Sequence, residues 1–486
     1  MNLGEFTKYD GLGLSELVKN KDVLPAELLE MAIKAFEKLN PELNAVVKIF
    51  EENALEEIKQ GLPCGAFEGV PFLFKELALH AKNIPQSMGS RVAENSVFPV
   101  DSELMKRFRQ AGFVTFGTTT TPEFGYNAAT EAVLYGPTRS PWDLNHSPGG
   151  SSGGSAASVA AGIVPVAHAT DGGGSIRIPA SCSGLVGLKP TRGRIPDGPL
   201  NIEPLNGTAV EFAVTKTVRD TAHLLDAVSG PDIGCYGSPA NPEIAYKNVL
   251  DVPVRPLKIA WTAKLNSGVP VDEECLKALY ETVQLCRELG HIVVEASPQF
   301  EQEPFANATL NIWTANIYKT IEVAASLTGK TPSEKNIEAA IWQCYQYGKE
   351  LKASDLLDAI NTNAMVSRQV GGFFTDYDIL LSPTLANLPA KIGELNANNS
   401  SINAQEWHEQ IFSYAPFTNL FNVTGQPSIS LPLKMSSTGL PIGMQFAGRF
   451  ADEATLLQLA VQLEQALPWK DRKPSVHTSN ILEKIN

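Results

Sequence analysis

The chain has 486 residues, 43% of them hydrophobic and 19% charged, with a formal net charge of −14 and a pI near 5.1. That apolar content can bury a large core as one big α/β domain or two to three smaller ones, while the acidity argues against a general affinity for nucleic-acid backbones. No apolar run reaches bilayer length, no leader-like segment opens the chain, and six scattered cysteines and seven dispersed histidines outline neither a disulfide framework nor a zinc site, so the expectation is a cytoplasmic chain with reduced thiols and no metal.

Taken in order, Leu28, Leu29, Ala32, Phe36 and Leu39 recur at helical spacing behind Pro25 and predict a helix over 25–39. Residues 69–77 read as a buried strand interrupted by charge at Lys75. A helix over 103–111, a strand over 113–116 and a turn at Thr121-Pro122 follow. After a glycine-serine cluster at 148–155, small residues predict a helix over 155–162 that can approach its neighbours closely. An apolar strand over 162–168 leads into a second cluster, Asp171-Gly172-Gly173-Gly174-Ser175-Ile176-Arg177. The strand–helix–strand pattern over 257–261, 273–289 and 292–294 favours a mixed or parallel sheet. Residues 301–375 read as helical, strands are expected at 378–381 and 428–433, and a helix over 453–467 closes the pattern. The sum is an α/β fold, a single large domain with a central mixed β-sheet covered by helices.

The two glycine-serine clusters carry the chemistry. The first, Pro148-Gly149-Gly150-Ser151-Ser152-Gly153-Gly154-Ser155, is too short and too well flanked for a flexible linker. It lacks the lysine of a phosphate-binding loop. Gly149 to Gly153 satisfies Gly-x-Ser-x-Gly, yet a nucleophile elbow needs a strand directly before it, and residues 140–148 read as loop. The second cluster is better placed for a nucleophile: a strand, three glycines, then Ser175. The backbone N–H groups of Gly172, Gly173, Gly174 and Ser175 could line an oxyanion hole, and a tight strand-to-loop turn is the equally weighted alternative. Lys75 offers a base, because burial penalises an ammonium and a neutral lysine accepts a proton near pH 7. An edge-strand lysine that discourages aggregation is the plain alternative. Asp171 and Arg177 bracket the second cluster, either as an ion pair bracing the loop or as an ordinary surface pair.

Together the motifs Gly-Val-Pro-x-x-x-Lys, Gly-Gly-Ser-Ser-Gly-Gly-Ser and Asp-x-Gly-Gly-Ser-Ile-Arg resemble those of the amidase signature enzymes. Residues 165–168, 178–181, 188–194 and 421–427 are similar to the subgroup related to nylon-oligomer (aminohexanoate cyclic dimer) hydrolases. The resemblance implies Ser175 as nucleophile, Ser151 as bridging serine behind a cis Gly150–Ser151 peptide, Lys75 as base, and Ser152, Asp171 and Arg177 in support. It also implies helices on both faces of the sheet, an N-terminal helical segment over 1–64, the signature core over 65–230, a variable helical part over 231–375 and completion of the core over 376–486. Phe124, Gly125, Tyr126, Asn127, Gly149, Gly150 and Trp313 are the candidate substrate contacts. Two positions depart from the family pattern: Glu76 stands where Asp is usual, and Gly172 where Thr or Ile is common, which predicts a more flexible oxyanion loop.

The function expected from these residues is hydrolysis of a carboxylic amide through an acyl-enzyme, the substrate being a small molecule such as a linear or cyclic amide oligomer. No cofactor, nucleic acid or membrane enters this scheme, and a homodimer is implied by resemblance alone. One rival is the glutaminase subunit of a tRNA-dependent amidotransferase, disfavoured by Ile178 where that subunit is expected to carry Gln. The other is a catalytically inactive binding protein on the same scaffold, disfavoured by the presence of all three catalytic side chains.

Overall fold

The computed structural model describes residues 1–265 and 267–481. Its centre is an eleven-stranded mixed sheet. Across the sheet the strands run Val46–Ile49, Val114–Thr119, Pro71–Lys75, Val166–Asp171, Val210–Thr215, Val186–Lys189, Ser428–Met435, Pro441–Gly448, Ile379–Pro383, Lys258–Trp261 and Ile292–Glu295. Helices flank it, and among the described residues none is long and apolar enough to cross a membrane.

The topology explains where the site lies. Pro71–Lys75 pairs in parallel with Val114–Thr119 on one side and with Val166–Asp171 on the other. Every residue of these three strands is buried, as expected for a central parallel region covered on both faces. Lys75 and Asp171 therefore end neighbouring parallel strands at the same edge. The carboxyl ends of parallel strands are where open α/β sheets leave room for ligands.

The predicted elements are found, with shifts at their ends. The helix expected over 25–39 runs Pro25–Leu43, with Pro at its first turn and Asn44 closing it in the left-handed region. The small-residue helix is Gly153–Ala160. The strand expected over 162–168 is Val166–Asp171. The reason is local: Gly162 takes a positive φ of 77° and the chain turns through Ile163 to Pro165 before it can extend. This shift carries the strand up to Asp171 itself. The helical stretch over 301–375 resolves into Gln302–Thr328, Ala339–Glu350 and Ala353–Asp376. Strands Val46–Ile49, Val186–Lys189, Val210–Thr215 and Pro441–Gly448 were not anticipated, and they account for much of the sheet's breadth.

Candidate active site

Lys75 is the last residue of its strand and is completely buried. Its Nζ lies 2.6 Å from Ser151 Oγ, 2.7 Å from Thr170 Oγ1 and 3.2 Å from Ser152 Oγ. Burial drives its pKa down from 10.5 to about 7, with the Asp171 and Glu211 carboxylates pulling the other way. A lysine this close to neutrality can accept a hydroxyl proton.

The first cluster places the hydroxyls. Gly149 takes a positive φ, the Gly150–Ser151 peptide is cis, and the helix Gly153–Ala160 starts directly behind Ser152. Ser152 Oγ donates to the Thr170 carbonyl and accepts from the Thr170 N–H, both at 3.2 Å. Gly150 packs against the Ala128–Ala129 backbone, and an added Cβ would stand 2.6 Å from the Ala129 carbonyl oxygen. No larger residue fits there.

Ser175 follows the end of strand Val166–Asp171 and the three glycines. Exposure falls from Ser175 (7%) through Ser151 (2%) to Lys75 (0%), so the reachable hydroxyl is that of Ser175. Among the described residues, none of the N–H groups of Gly172, Gly173, Gly174 and Ser175 donates to a protein acceptor. Buried donors left open in this way are rare unless something else meets them.

What holds the loop is an ion pair inside the protein. Arg177 and Asp171 are fully buried, with Nη2 2.8 Å from Oδ1 and Nε 2.9 Å from Oδ2. The remaining guanidinium donors go to the Thr418 carbonyl, Asn422 Oδ1 and Gln445 Oε1 at 2.6–2.8 Å. Asn422 Nδ2 donates back to both the carbonyl and carboxylate of Asp171. Burial alone would raise the Asp171 carboxyl, but the Arg177 guanidinium, with help from Asn422 and Lys189, holds the group below its ordinary value. Thr418 Oγ1 also donates to the Gly173 carbonyl at 2.6 Å, turning that peptide so that its oxygen points into the protein.

The other sequence candidates fall around this core. Gly125 backs onto Ser151: a Cβ there would stand 3.2 Å from Ser151 Oγ. Phe124 is buried at a positive φ of 50°. Tyr126 stacks on Trp313 with ring centroids 4.4 Å apart, and its hydroxyl lies 2.6 Å from His408 Nδ1. Asn127 spends its amide inside the protein, Nδ2 on the Leu395 carbonyl and Oδ1 on the Ala129 N–H. Gly149 packs against Pro179 and Cys182. Trp313, from helix Gln302–Thr328, reaches the 172–175 loop, and with Leu205 it occupies the space a side chain at 172 would need. The loop expected to be loosened by Gly172 is thus packed from outside.

Sequence reasoning missed Thr170, Glu211, Leu205, Thr418 and Gln445, and gave Asn422 no role. Thr170 had a visible cue, as a polar residue in an apolar strand next to Asp171. Glu211 had none. Strand register sets it opposite Thr170, and it meets His168 Nε2 at 2.9 Å. Burial raises its carboxyl to about 8 against the pull of Lys75.

The Amidase family profile matches residues 27–457. The chain belongs to the amidase signature family. This amidase is 36% identical over 482 residues to a 6-aminohexanoate-cyclic-dimer hydrolase of Pseudomonas sp. (strain NK87), with 96% of each chain covered. It is 31% identical over 465 residues to an acylamidase of Rhodococcus erythropolis, covering 94% of this chain and 95% of that one. A solved structure of 6-aminohexanoate cyclic dimer hydrolase superimposes with a TM-score of 0.92 at 34% identity, covering 98% of this chain and 99% of the other. The amidase is accordingly a hydrolase of carboxylic amides on a single-domain α/β fold.

Proposed function

We propose that this amidase works by double displacement, with Ser175 as nucleophile, Ser151 as proton bridge and Lys75 as base. The observation that carries the proposal is the buried amine of Lys75, 2.6 Å from Ser151 Oγ and near neutrality at pH 7. A neutral amine has two N–H donors and one lone pair. Ser152 gives its only proton to the Thr170 carbonyl and so accepts from Lys75, and Thr170 Oγ1 accepts the second N–H. The lone pair is left for Ser151.

Ser175 Oγ attacks the amide carbonyl carbon. Its proton passes to Ser151 Oγ, whose own proton passes to Lys75 Nζ. The new C–O bond pushes the carbonyl electrons onto oxygen, and the open N–H groups of 172–175 receive that charge. As the C–N bond breaks, the proton on Lys75 returns through Ser151 to the departing amine. Water then repeats the sequence on the acyl ester, releasing the acid and freeing Ser175.

The substrate is an uncharged amide, with linear and cyclic amide oligomers as the first class to try. Support comes from the likeness to the aminohexanoate dimer hydrolase and from the side chains around the site. The atoms nearest the Cβ positions of Gly125, Gly149, Gly150, Gly172, Gly173 and Gly174 all belong to uncharged residues. Glutamine carries two charges that a glutaminase must meet, so that reading has less support. The same scheme assigns 65–230 to the catalytic core and 376–486 to its bracing, since the partners of Arg177 come from Thr418, Asn422 and Gln445.

Replacing Ser175 by Ala is expected to lower turnover by about 10⁴-fold or more. It should also abolish the mass increase seen after treatment with a fluorophosphonate. Turnover at the wild-type rate in that variant would overturn the proposal.

A further inference from the structure

Three glycines at the reaction centre each carry a side chain from elsewhere on their open face. A Cβ on Gly172 would stand 2.7 Å from Leu205 Cδ1 and 3.2 Å from the Trp313 ring. On Gly125 it would stand 2.5 Å from Leu77 Cδ2, and on Gly173 3.0 Å from the Phe412 ring. Leu77, Leu205 and Phe412 are partly buried, and they pack on the apolar cluster that contains Phe124, Tyr126 and Trp313. The nearest side chain at each of these three glycines is apolar.

Of the three, Leu205 is held most deliberately. Glu203, Leu205 and Asn206 have φ values of 53°, 51° and 54°, and Gly207 follows at 78°. Residues with side chains adopt this left-handed region at a cost, so the surrounding contacts must impose it. Those contacts are present: the Gly207 N–H donates to the Glu203 carbonyl at 3.0 Å and the Thr208 N–H to the Leu205 carbonyl at 3.2 Å. Asn316 Nδ2 donates to Asn206 Oδ1 at 2.8 Å. Asn422 Nδ2 reaches the Thr208 carbonyl at 3.1 Å as well as Asp171. One asparagine thus ties the Leu205 turn to the residue that opens the oxyanion loop. Leu205 and Gly172 are fixed relative to each other rather than merely adjacent.

We infer that Leu205, seated on Gly172 and backed by Trp313, sets the size of the substrate group accepted beside the scissile carbonyl, and that this flank admits apolar, uncharged groups. The inference rests on the proposal that the 172–175 N–H groups hold the oxyanion. In it, Leu205 supplies from a separate turn the bulk that a larger residue at 172 would supply from the loop itself.

The test uses the full chain and a panel of N-acyl 4-nitroanilides with the corresponding primary amides. The acyl groups are acetyl, butyryl, cyclohexanecarbonyl and benzoyl, with glutaryl as a charged counterpart of similar length. Leu205→Ala is expected to raise kcat/KM for the cyclohexanecarbonyl or benzoyl compounds about tenfold relative to acetyl, the scale of one or two methylenes in an apolar pocket. Gly172→Ala should depress the whole panel, and Gly172→Ala/Leu205→Ala should recover about tenfold over Gly172→Ala, because the added methyl then has room. Melting curves show whether Gly172→Ala is folded; if it is not, the ratios for Leu205→Ala decide alone. An unchanged bulky-to-acetyl ratio in Leu205→Ala overturns the inference, as does a glutaryl compound turned over as well as its neutral counterparts. Turnover persisting in Ser175→Ala on the same panel would instead remove the reading underneath it.

Discussion

In the cluster at 148–155 the serine hydroxyls are spoken for by the protein. Ser151 meets Lys75, Ser152 meets both ends of the Thr170 peptide, and Ser155 donates to the His168 carbonyl at 2.6 Å while meeting Thr119 Oγ1 at 2.7 Å. The cluster at 171–177 uses the same small residues differently. Its two ends are clamped by Asp171 and Arg177, and the N–H groups of Gly172 to Ser175 find no protein acceptor among the described residues. The first arrangement suits a proton path, whose hydroxyls need fixed orientations. The second suits a site for transient negative charge, whose donors must be in place and unoccupied beforehand. Glycine permits close packing in both.

Three substitutions probe that contrast. The largest effect is expected at the proton path. Lys75→Met should lower turnover by about 10²–10⁴-fold, the range for a general base. It should also flatten the acid side of the pH–rate profile. In the wild type, protonating Lys75 removes the lone pair that Ser151 needs. With its pKa near 7, kcat/KM should fall about tenfold per unit as pH drops below about 7 and level off above it. A wild-type profile flat between pH 5 and 8 would assign the base elsewhere.

The clamp of the second cluster comes next. Arg177→Met leaves the Asp171 carboxylate buried without its charge partner, and breaking such a pair costs about 3–5 kcal/mol of stability. Urea titration measures this as a lowered midpoint, and a midpoint equal to the wild type would mean that the pair does not brace the loop. The smallest change is Thr170→Val, which keeps the shape but removes one acceptor of the Lys75 N–H groups. It should lower kcat by a few fold up to about tenfold with KM little altered, since a single neutral hydrogen bond contributes about 0.5–1.5 kcal/mol. A change confined to KM would place Thr170 among the substrate contacts.

How far the sequence reaches can be judged at particular residues. Lys75 was legible because charge interrupts an apolar run, and Ser175 because three glycines precede it at the end of a strand. The strand before it was expected to end at 168 and ends at 171, since apolar patterning does not register the turn through Gly162 and Pro165. Gly172 read as a loosened loop because the chain order says nothing of Leu205 and Trp313 arriving from elsewhere.

Read as residue order alone, the chain already specifies the strands that carry Lys75 and lead to Ser175, its small-residue helix and the three side chains of the proposed proton relay. Those features are local, written in apolar period, glycine placement and charge set into an apolar run. The depth at which Lys75 sits, the burial of the Asp171–Arg177 pair and the apolar covering of the oxyanion loop depended on the assembled fold. Each of them requires segments distant in the chain, Thr418 and Gln445 for the clamp and Leu205 and Trp313 for the covering, to close over one sheet edge, and such long-range packing leaves no periodic trace in the sequence.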